Sequence, residues 1–216
     1  MDVTNRFKKF GGDYISDVVE YLKGCIDKDP NVTISLGCDS IQRRRKTVYA
    51  ITLMIYNQDI KNGAHVIFFR ESTSKIRDNF ERLHKEAQYV QEIGDFLHSK
   101  LEPFYTRKDL NELERRKYKY HVAKCNGEYQ HVTDDETVMK NMSLTDHEKS
   151  TNYKLIDLHL DFNPVEGKVD GRGFAKNRSN VSYKTYVPWL RGMNYRVWVK
   201  PAGHASTSAA DLLLQD

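Results

Sequence analysis

Cysteine is scarce in this sequence of 216 residues. The three cysteines, Cys25, Cys38 and Cys125, are odd in number, widely separated and free of any CxxC pair. Disulfide frameworks and structural zinc sites depend on closely paired ligands, and the spacing of His121 and His131 around Cys125 matches no standard zinc pattern. We therefore expect reduced thiols, as in a cytoplasmic protein, and no structural zinc.

Long apolar runs are also absent. No segment approaches the roughly 20 apolar residues that cross a membrane. The N-terminal stretch MDVTNRFKKFGGDY lacks the apolar core of a signal peptide. The sequence therefore predicts a soluble, cytoplasmic protein without a membrane partner.

A strong excess of one charge is missing as well. The chain has 34 Lys and Arg against 30 Asp and Glu, a net charge of +4, which by itself does not indicate a polyanionic partner.

Two catalytic sequence motifs are absent too. Without a Walker-type glycine loop the chain is not expected to be a P-loop nucleotidase. Without a GxSxG elbow it is not expected to catalyse acyl transfer.

What the sequence does contain is an alternation of helix and strand signals. Apolar residues at helical spacing predict an amphipathic helix at about residues 13–27. Three β-branched runs, at 31–40, 47–56 and 65–72, are joined by short turns and are typical of an antiparallel meander. A long helix follows from Asp78 to Leu101, with Asp78 and Glu81 spaced as a capping box.

Residues 102–152 interrupt this pattern with a polar, charged stretch that contains an Asn126-Gly127 hairpin signal. We interpret this stretch as an insertion in a single domain that spans residues 1–216. After it come the strand LIDLHLDFNP, a helix around Val181 to Leu190 that ends near Gly192, the strand YRVWVK and a short final helix. Pro188 could kink this helix or end it early. The prediction is an α/β fold with a central mixed five-stranded sheet flanked by helices.

Acidic residues recur at four points of this order. Asp39 ends the first predicted strand, Glu86 lies in or beside the apolar stripe of the long helix, Asp161 ends the fourth strand and Asp211 lies on the final helix. Buried carboxylates are costly unless they are paired or gathered around a metal ion. Several converging carboxylates are what two-metal phosphodiester hydrolysis requires, and their oxygen atoms suit Mg²⁺ or Mn²⁺.

The segments GCDS, RLHKEA, DLHLDFNP, Ser179 to Gly192 and VKPAGHASTSAAD, in this order, resemble the YkuK-like family of predicted ribonuclease-H-like proteins. The resemblance covers most of residues 31–73, 78–101 and 153–212, whereas residues 102–152 have no counterpart. It implies the ribonuclease-H-like fold, in which acids at these four places bind two divalent cations. It also implies that His204 corresponds to the mobile histidine of many ribonucleases H, which is thought to assist the water or product release.

Other interpretations of the acids stay open at this point. Asp39 could be an ordinary turn residue, and Asp211 could simply complement the dipole of the final helix. Glu81 and Glu92 are weaker substitutes for Glu86. Two further polar residues of the fourth strand fall on the face of Asp161: Asp157 is expected to be paired structurally or to support the ligands, and His159 to be a hydrogen-bonded core residue or an outer partner.

Basic and polar residues around these acids are candidates for substrate contacts. A basic turn follows the first strand, and a stretch without acids runs between Asp170 and Asp211; both could be solvated faces, but their position favours contacts with a phosphate backbone. The basic residues of that stretch are Arg172, Lys176, Arg178, Lys184, Arg191, Arg196 and Lys200. The candidate substrate-binding residues are Ser40, Arg43, Arg44, Arg45, Asn163, Ser179 and Lys200.

These observations predict a divalent-metal-dependent nuclease that uses two Mg²⁺ or Mn²⁺ ions and acts on RNA, an RNA/DNA hybrid or DNA. One alternative is a catalytically silent nucleic-acid-binding or assembly module, because fold does not imply function. A second is another phosphoryl-transfer enzyme on the same fold, such as a nucleotidyl transferase or a strand-transfer enzyme.

Overall fold

The structure, a computed structural model, describes residues 1–29, 32–57, 64–105, 153–164, 179–200, 203 and 205–214. The strands are β1 (Lys8–Lys9), β2 (Val32–Gln42), β3 (Lys46–Asn57), β4 (His65–Ser74), β5 (Ile156–Leu160) and β6 (Val197–Trp198). The helices are α1 (Val18–Lys28), α2 (Asn79–Leu101), α3 (Ser179–Gly192) and α4 (Asp211–Leu214), and a π-helical segment, Ala205–Ala210, leads directly into α4.

All six strands belong to one mixed sheet with the order β1-β4-β3-β2-β5-β6. β2, β3 and β4 form the predicted antiparallel meander, and β5 and β6 extend it in parallel from β2. The α/β class and the mixed sheet are confirmed, but within the described residues the sheet has six strands rather than five. The additional strand is β1, whose two residues pair with Phe68 and Ile67 of β4 and are too few to produce a periodic signal.

The helix boundaries follow from local hydrogen bonding. α1 begins at Val18 rather than at residue 13, because the Asp17 side chain caps it by accepting from the amides of Val19 and Glu20. Before Asp17 the chain is not helical: Tyr14 forms an isolated bridge with Lys8, and the Ile15 amide donates to the Phe7 carbonyl. The Asp78 cap of α2 is confirmed. α3 neither breaks nor ends at Pro188 but continues to Gly192.

The two faces of the sheet are covered differently. Alternate residues of the strands, such as Leu36, Ile51 and Leu158, join α1, α2 and α3 in the main hydrophobic core. The opposite face is covered by the C-terminal segment 205–214 through a smaller cluster. The residues of this cluster are Ala50, Phe68, Ala210, Leu213 and Leu214.

Most of the predicted insertion at 102–152 lies outside the described residues, as do Asn126-Gly127, Cys125, His121 and His131. The described part of it, residues 102–105, forms a turn after α2. A search of the described helices for a membrane-spanning segment finds none of sufficient length and apolarity.

Candidate active site

Asp39 and Asp161 come together because β2 and β5 are parallel neighbours. Cys38 of β2 is paired with Leu160, the last residue of β5. Asp39 and Asp161 each follow these paired residues directly, so they lie side by side on adjacent segments of the sheet. The sequence prediction that Asp39 ends its strand is wrong, since β2 continues to Gln42. β2 is longer than predicted because it pairs with β3 along its whole length. Asp39 therefore sits on a rigid strand and not on a turn.

Glu86 reaches the same region from α2. Its side chain is only 1% exposed. Its Oε1 atom accepts hydrogen bonds from Ser40 Oγ at 2.5 Å and from the Arg82 guanidinium at 3.0 Å. Its Oε2 atom is buried and has no hydrogen-bond partner among the described residues. A buried carboxylate oxygen without a donor is costly, and such an exception to normal pairing is typical of sites that bind an ion or perform chemistry.

Asp211 is brought to the site by the C-terminal segment. The segment begins at Ala205, whose amide donates to His159 Nδ1 at 3.1 Å and whose carbonyl accepts from Thr52 Oγ1 at 2.6 Å. At its other end, the Arg43 guanidinium donates to the Leu214 carbonyl. Asp211 lies between these anchors, exposed to solvent, at the first position of α4.

The mutual influence of the acids appears in the pKa values of Asp39, Glu86 and Asp161. Burial, followed by the charge of Asp161, raises the pKa of Asp39 to about 7, and the charge of Asp211 contributes in the same direction. Burial and the charge of Asp39 raise the pKa of Glu86 to about 8. Burial also raises the pKa of Asp161, against the opposing effect of Lys200. The site therefore holds more negative charge than its surroundings neutralise.

Two basic side chains compensate part of this charge. The Arg82 guanidinium donates to the carbonyl and hydroxyl of Ser40, to Glu86 and to Asn79, so it joins the end of β2 to the first turns of α2. Lys200 Nζ lies 2.8 Å from Asp161 Oδ1, and its side chain is 46% exposed. An ion pair this exposed contributes little stability and is easily exchanged.

The donor chemistry of the acids fits a hard divalent cation, because carboxylate oxygens are the preferred ligands of Mg²⁺ and Mn²⁺. The unpaired Glu86 Oε2 atom and the raised pKa values of Asp39 and Glu86 agree with this fit. In the part of the chain that the structure describes, no three His, Cys, Asp or Glu side chains are already gathered closely enough to hold a metal ion. Glu86 is paired with Arg82 and Asp161 with Lys200 instead.

The predicted substrate-binding residues separate into different environments. Ser40 and Lys200 lie within the acid site. Ser179 Oγ accepts from the Asn163 amide, which ties the chain after β5 to the start of α3. Arg44 and Arg45 are exposed, whereas the Arg43 side chain holds α4. His204 lies outside the described residues.

Sequence reasoning missed the roles of Arg82 and Arg196. Arg196 was grouped with residues that contact a phosphate backbone, but it is 4% exposed and forms a buried ion pair with Asp157. Its Nε and a terminal nitrogen lie 2.9 and 2.7 Å from Asp157 Oδ2, which also accepts from Trp198 Nε1. The available signals were the position of Arg82 one helical turn before Glu86 and the lone carboxylate within the buried β5 strand.

Comparison with known proteins gives one informative match. A family model described as Ribonuclease H-like matches residues 14–122, which is just over half of the chain and includes Asp39, Arg82 and Glu86. Asp161 and Asp211 lie beyond the matched range. No curated protein and no solved structure matches the chain.

Proposed function

The chain belongs to the ribonuclease-H-like family, and from this premise we propose that it is a divalent-metal-dependent nuclease that hydrolyses nucleic-acid phosphodiester bonds by a two-metal mechanism. The observation that carries the proposal is Glu86: a carboxylate 1% exposed, with one oxygen unpaired among the described residues, beside Asp39 and Asp161. A site that performs no chemistry would gain nothing from this arrangement.

In this proposal Asp39, Glu86, Asp161 and Asp211 hold two Mg²⁺ or Mn²⁺ ions. When bound, such ions supply Lewis acidity for a water nucleophile and a departing oxygen. Asp39 and Asp161 sit on neighbouring strands and provide the rigid part of the site, whereas Asp211 comes from the separately anchored C-terminal segment. Release of Lys200 from Asp161 would place its ammonium group near a scissile phosphate.

The raised pKa values favour a metal-linked proton release. A carboxyl group must be ionised to bind a divalent cation well. Asp39 and Glu86, with pKa values of about 7 and 8, would lose protons as the ions bind. Metal affinity should therefore increase as the pH rises towards 8.

The second candidate is a catalytically silent nucleic-acid-binding or assembly module. Arg82 and Lys200 favour it, because each already occupies a carboxylate that a metal ion would need. The two candidates differ in one measurable property, since only the nuclease requires divalent-metal affinity at these acids.

The experiment is Mn²⁺ and Mg²⁺ titration calorimetry of the wild-type chain beside Asp161→Asn and Glu86→Gln. Glu81→Gln is the matched control, because Glu81 is exposed and lies on the same helix five residues before Glu86. We expect binding that is lost in the first two variants and kept in the control. Absence of binding in the wild type, or equal binding in all four proteins, would contradict the metal site.

The metal-loaded wild type would then be offered RNA, an RNA/DNA hybrid and DNA, with RNA and the hybrid first. Asp39→Asn should abolish cleavage while leaving the circular dichroism spectrum unchanged. Products with 5′-phosphate and 3′-hydroxyl ends would support hydrolysis, whereas joined strands would identify a strand-transfer enzyme.

A further inference from the structure

An aromatic cluster lies where α2 and α3 pack together. It consists of Phe80, His84, Phe162, Tyr186 and Trp189. Tyr186 is at its centre, with ring centroids 5.2 Å from His84, 5.9 Å from Phe80, 6.2 Å from Phe162 and 6.4 Å from Trp189. The rings therefore form one continuous surface and not isolated contacts.

The outer rings of the cluster are open to solvent. Phe80 is 41% and Trp189 44% exposed, although Tyr186 beneath them is only 7% exposed. Val181, eight residues before Trp189 on α3, is also exposed, at 57%. A contiguous exposed patch of large apolar side chains marks a binding site more often than a solvated face.

The aromatic cluster is next to the acid site. Phe162 directly follows Asp161, and its carbonyl accepts from the Lys200 amide at 3.2 Å. Phe80 lies six residues before Glu86 on α2, which is about 9 Å along the helix axis. A polymeric strand held at the acids would have to span about this distance to reach Phe80.

The charge on the α3 side of the cluster favours a polyanion, although Phe80 on α2 is flanked by the exposed acids Asp78 and Glu81. α3 carries Lys184 and Arg191 and no acidic residue along its 14 residues. Lys200 lies at the boundary between the cluster and the acids. Exposed rings bordered by basic residues are the combination that binds single-stranded nucleic acids, because bases stack on the rings while cations contact the phosphates.

Building on the proposed nuclease function, we propose that the aromatic cluster stacks unpaired bases of the nucleic-acid strand whose backbone lies at the acid site. The substrate class is then a single strand, or a duplex with a single-stranded extension. Bases inside a continuous duplex are stacked on one another and offer no free face to Phe80 or Trp189.

The test is fluorescence anisotropy with labelled oligothymidylate and oligouridylate of about 12 nucleotides, a length within the usual site size of such proteins. EDTA is present, so binding is read without cleavage. The variants are Phe80→Ala, Trp189→Ala and their combination. Phe104→Ala is the control, because Phe104 is 63% exposed but lies beyond the opposite end of α2, roughly 30 Å away.

We expect each single variant to weaken single-strand binding by about tenfold and the double variant by more, as the loss of one base-ring stack predicts. Phe104→Ala should bind like the wild type. The salt dependence should stay unchanged in the variants, because no phosphate contact is removed. A blunt duplex of the same length should show no loss.

Three results would overturn the proposal. The first is a wild type that does not bind single strands, and the second is a double variant with unchanged affinity. The third is a double variant that is monomeric where the wild type is a dimer, because the rings would then join two copies of the chain. Cleavage is scored separately. Unchanged binding with intact metal-dependent cleavage refutes only the stacking surface, whereas ring-dependent binding without any cleavage refutes only the nuclease.

Discussion

Two buried carboxylates, one on the sheet and one on the long helix, differ in how far their charge is compensated by hydrogen-bond donors. Asp157 on β5 and Glu86 on α2 are both 1% exposed. Asp157 accepts hydrogen bonds on both oxygens from Arg196, and Trp198 adds a further donor. Glu86 has donors on one oxygen only, and neighbouring acids help to raise its pKa to about 8.

The difference separates a neutralised buried charge from one that its neighbours compensate only in part. The Asp157-Arg196 pair is locally neutral and links β5 to β6, so it behaves as part of the core. When ionised, the acids Asp39, Glu86 and Asp161 carry more negative charge than their neighbours neutralise, which costs stability in the absence of a bound cation. Groups of this kind persist at sites where they perform chemistry, because the surrounding fold bears their cost.

The largest effect on stability is expected from breaking the buried ion pair between Asp157 and Arg196. Arg196→Met leaves Asp157 as an uncompensated buried charge and should lower the free energy of unfolding by about 3–5 kcal/mol. Urea denaturation followed by circular dichroism measures this loss. Lys200→Met is the control: it removes a half-exposed partner of Asp161 and should cost less than about 1 kcal/mol. Equal losses in the two variants would remove the distinction between the sites.

The second effect is a pH dependence that comes from the unbalanced acids. The folded pKa values of about 8 for Glu86 and about 7 for Asp39 exceed their ordinary values of 4.5 and 3.8. The folded state thus binds more protons than the unfolded state between these limits, and stability falls as the pH rises. Without metal, we expect the free energy of unfolding to decrease by roughly 2 kcal/mol or more from pH 5 to pH 8.

Urea denaturation in EDTA across this range measures the slope. The double variant Asp39→Asn, Glu86→Gln should flatten it, because neither amide titrates. Saturating Mn²⁺ should flatten it in the wild type as well. A wild-type free energy of unfolding that rises between pH 5 and pH 8 would contradict the raised pKa values of Asp39 and Glu86.

The third and smallest effect concerns Arg82, the resident cation of the acid site. Arg82→Met removes a positive charge next to Glu86 and should increase Mn²⁺ affinity by about tenfold, since a unit charge at this range contributes over 1 kcal/mol at an effective dielectric constant near 20. The same variant should lower metal-free stability by about 1–2 kcal/mol through its lost hydrogen bonds. Calorimetry and urea denaturation give the two readouts.

This prediction is specific because Arg82→Met should change Mn²⁺ affinity and metal-free stability in opposite directions. A residue that only supports the fold would weaken both properties when removed. Arg82→Lys keeps the charge and should leave Mn²⁺ affinity near that of the wild type. A loss of Mn²⁺ affinity in Arg82→Met would assign Arg82 to the support of the metal ligands instead of to competition with the metal.

The elements that repeat a pattern were predictable from the sequence. The alternation in 31–40, 47–56 and 65–72 and the apolar stripe of 78–101 indicated the meander and the long helix, and both are confirmed. β1 was missed because two residues carry no period. α1 was predicted too early because the capping role of Asp17 competes with an unbroken apolar spacing.

The individual acids were also identified as candidates from the sequence, and the structure places Asp39 and Asp161 on neighbouring segments of the sheet. Their compensating partners were not found. Arg82 and Arg196 are recognised only when the fold brings them against Glu86 and Asp157, a contact between elements that no local pattern contains. The hydrogen bond from Arg43 to the distant Leu214 carbonyl was not found for the same reason.

The π-helical segment Ala205–Ala210 has a consequence for the register of the last helix. A π-helical turn holds one residue more than an α-helical turn, and each residue of an α-helix turns the next by about 100°. Removing one residue from this segment would let it relax to an α-helix, and the larger turn per residue would offset the lost residue, so Asp211 would keep nearly its present direction. The wide turn thus accommodates one additional residue between Ala205 and Asp211 without turning the fourth acid.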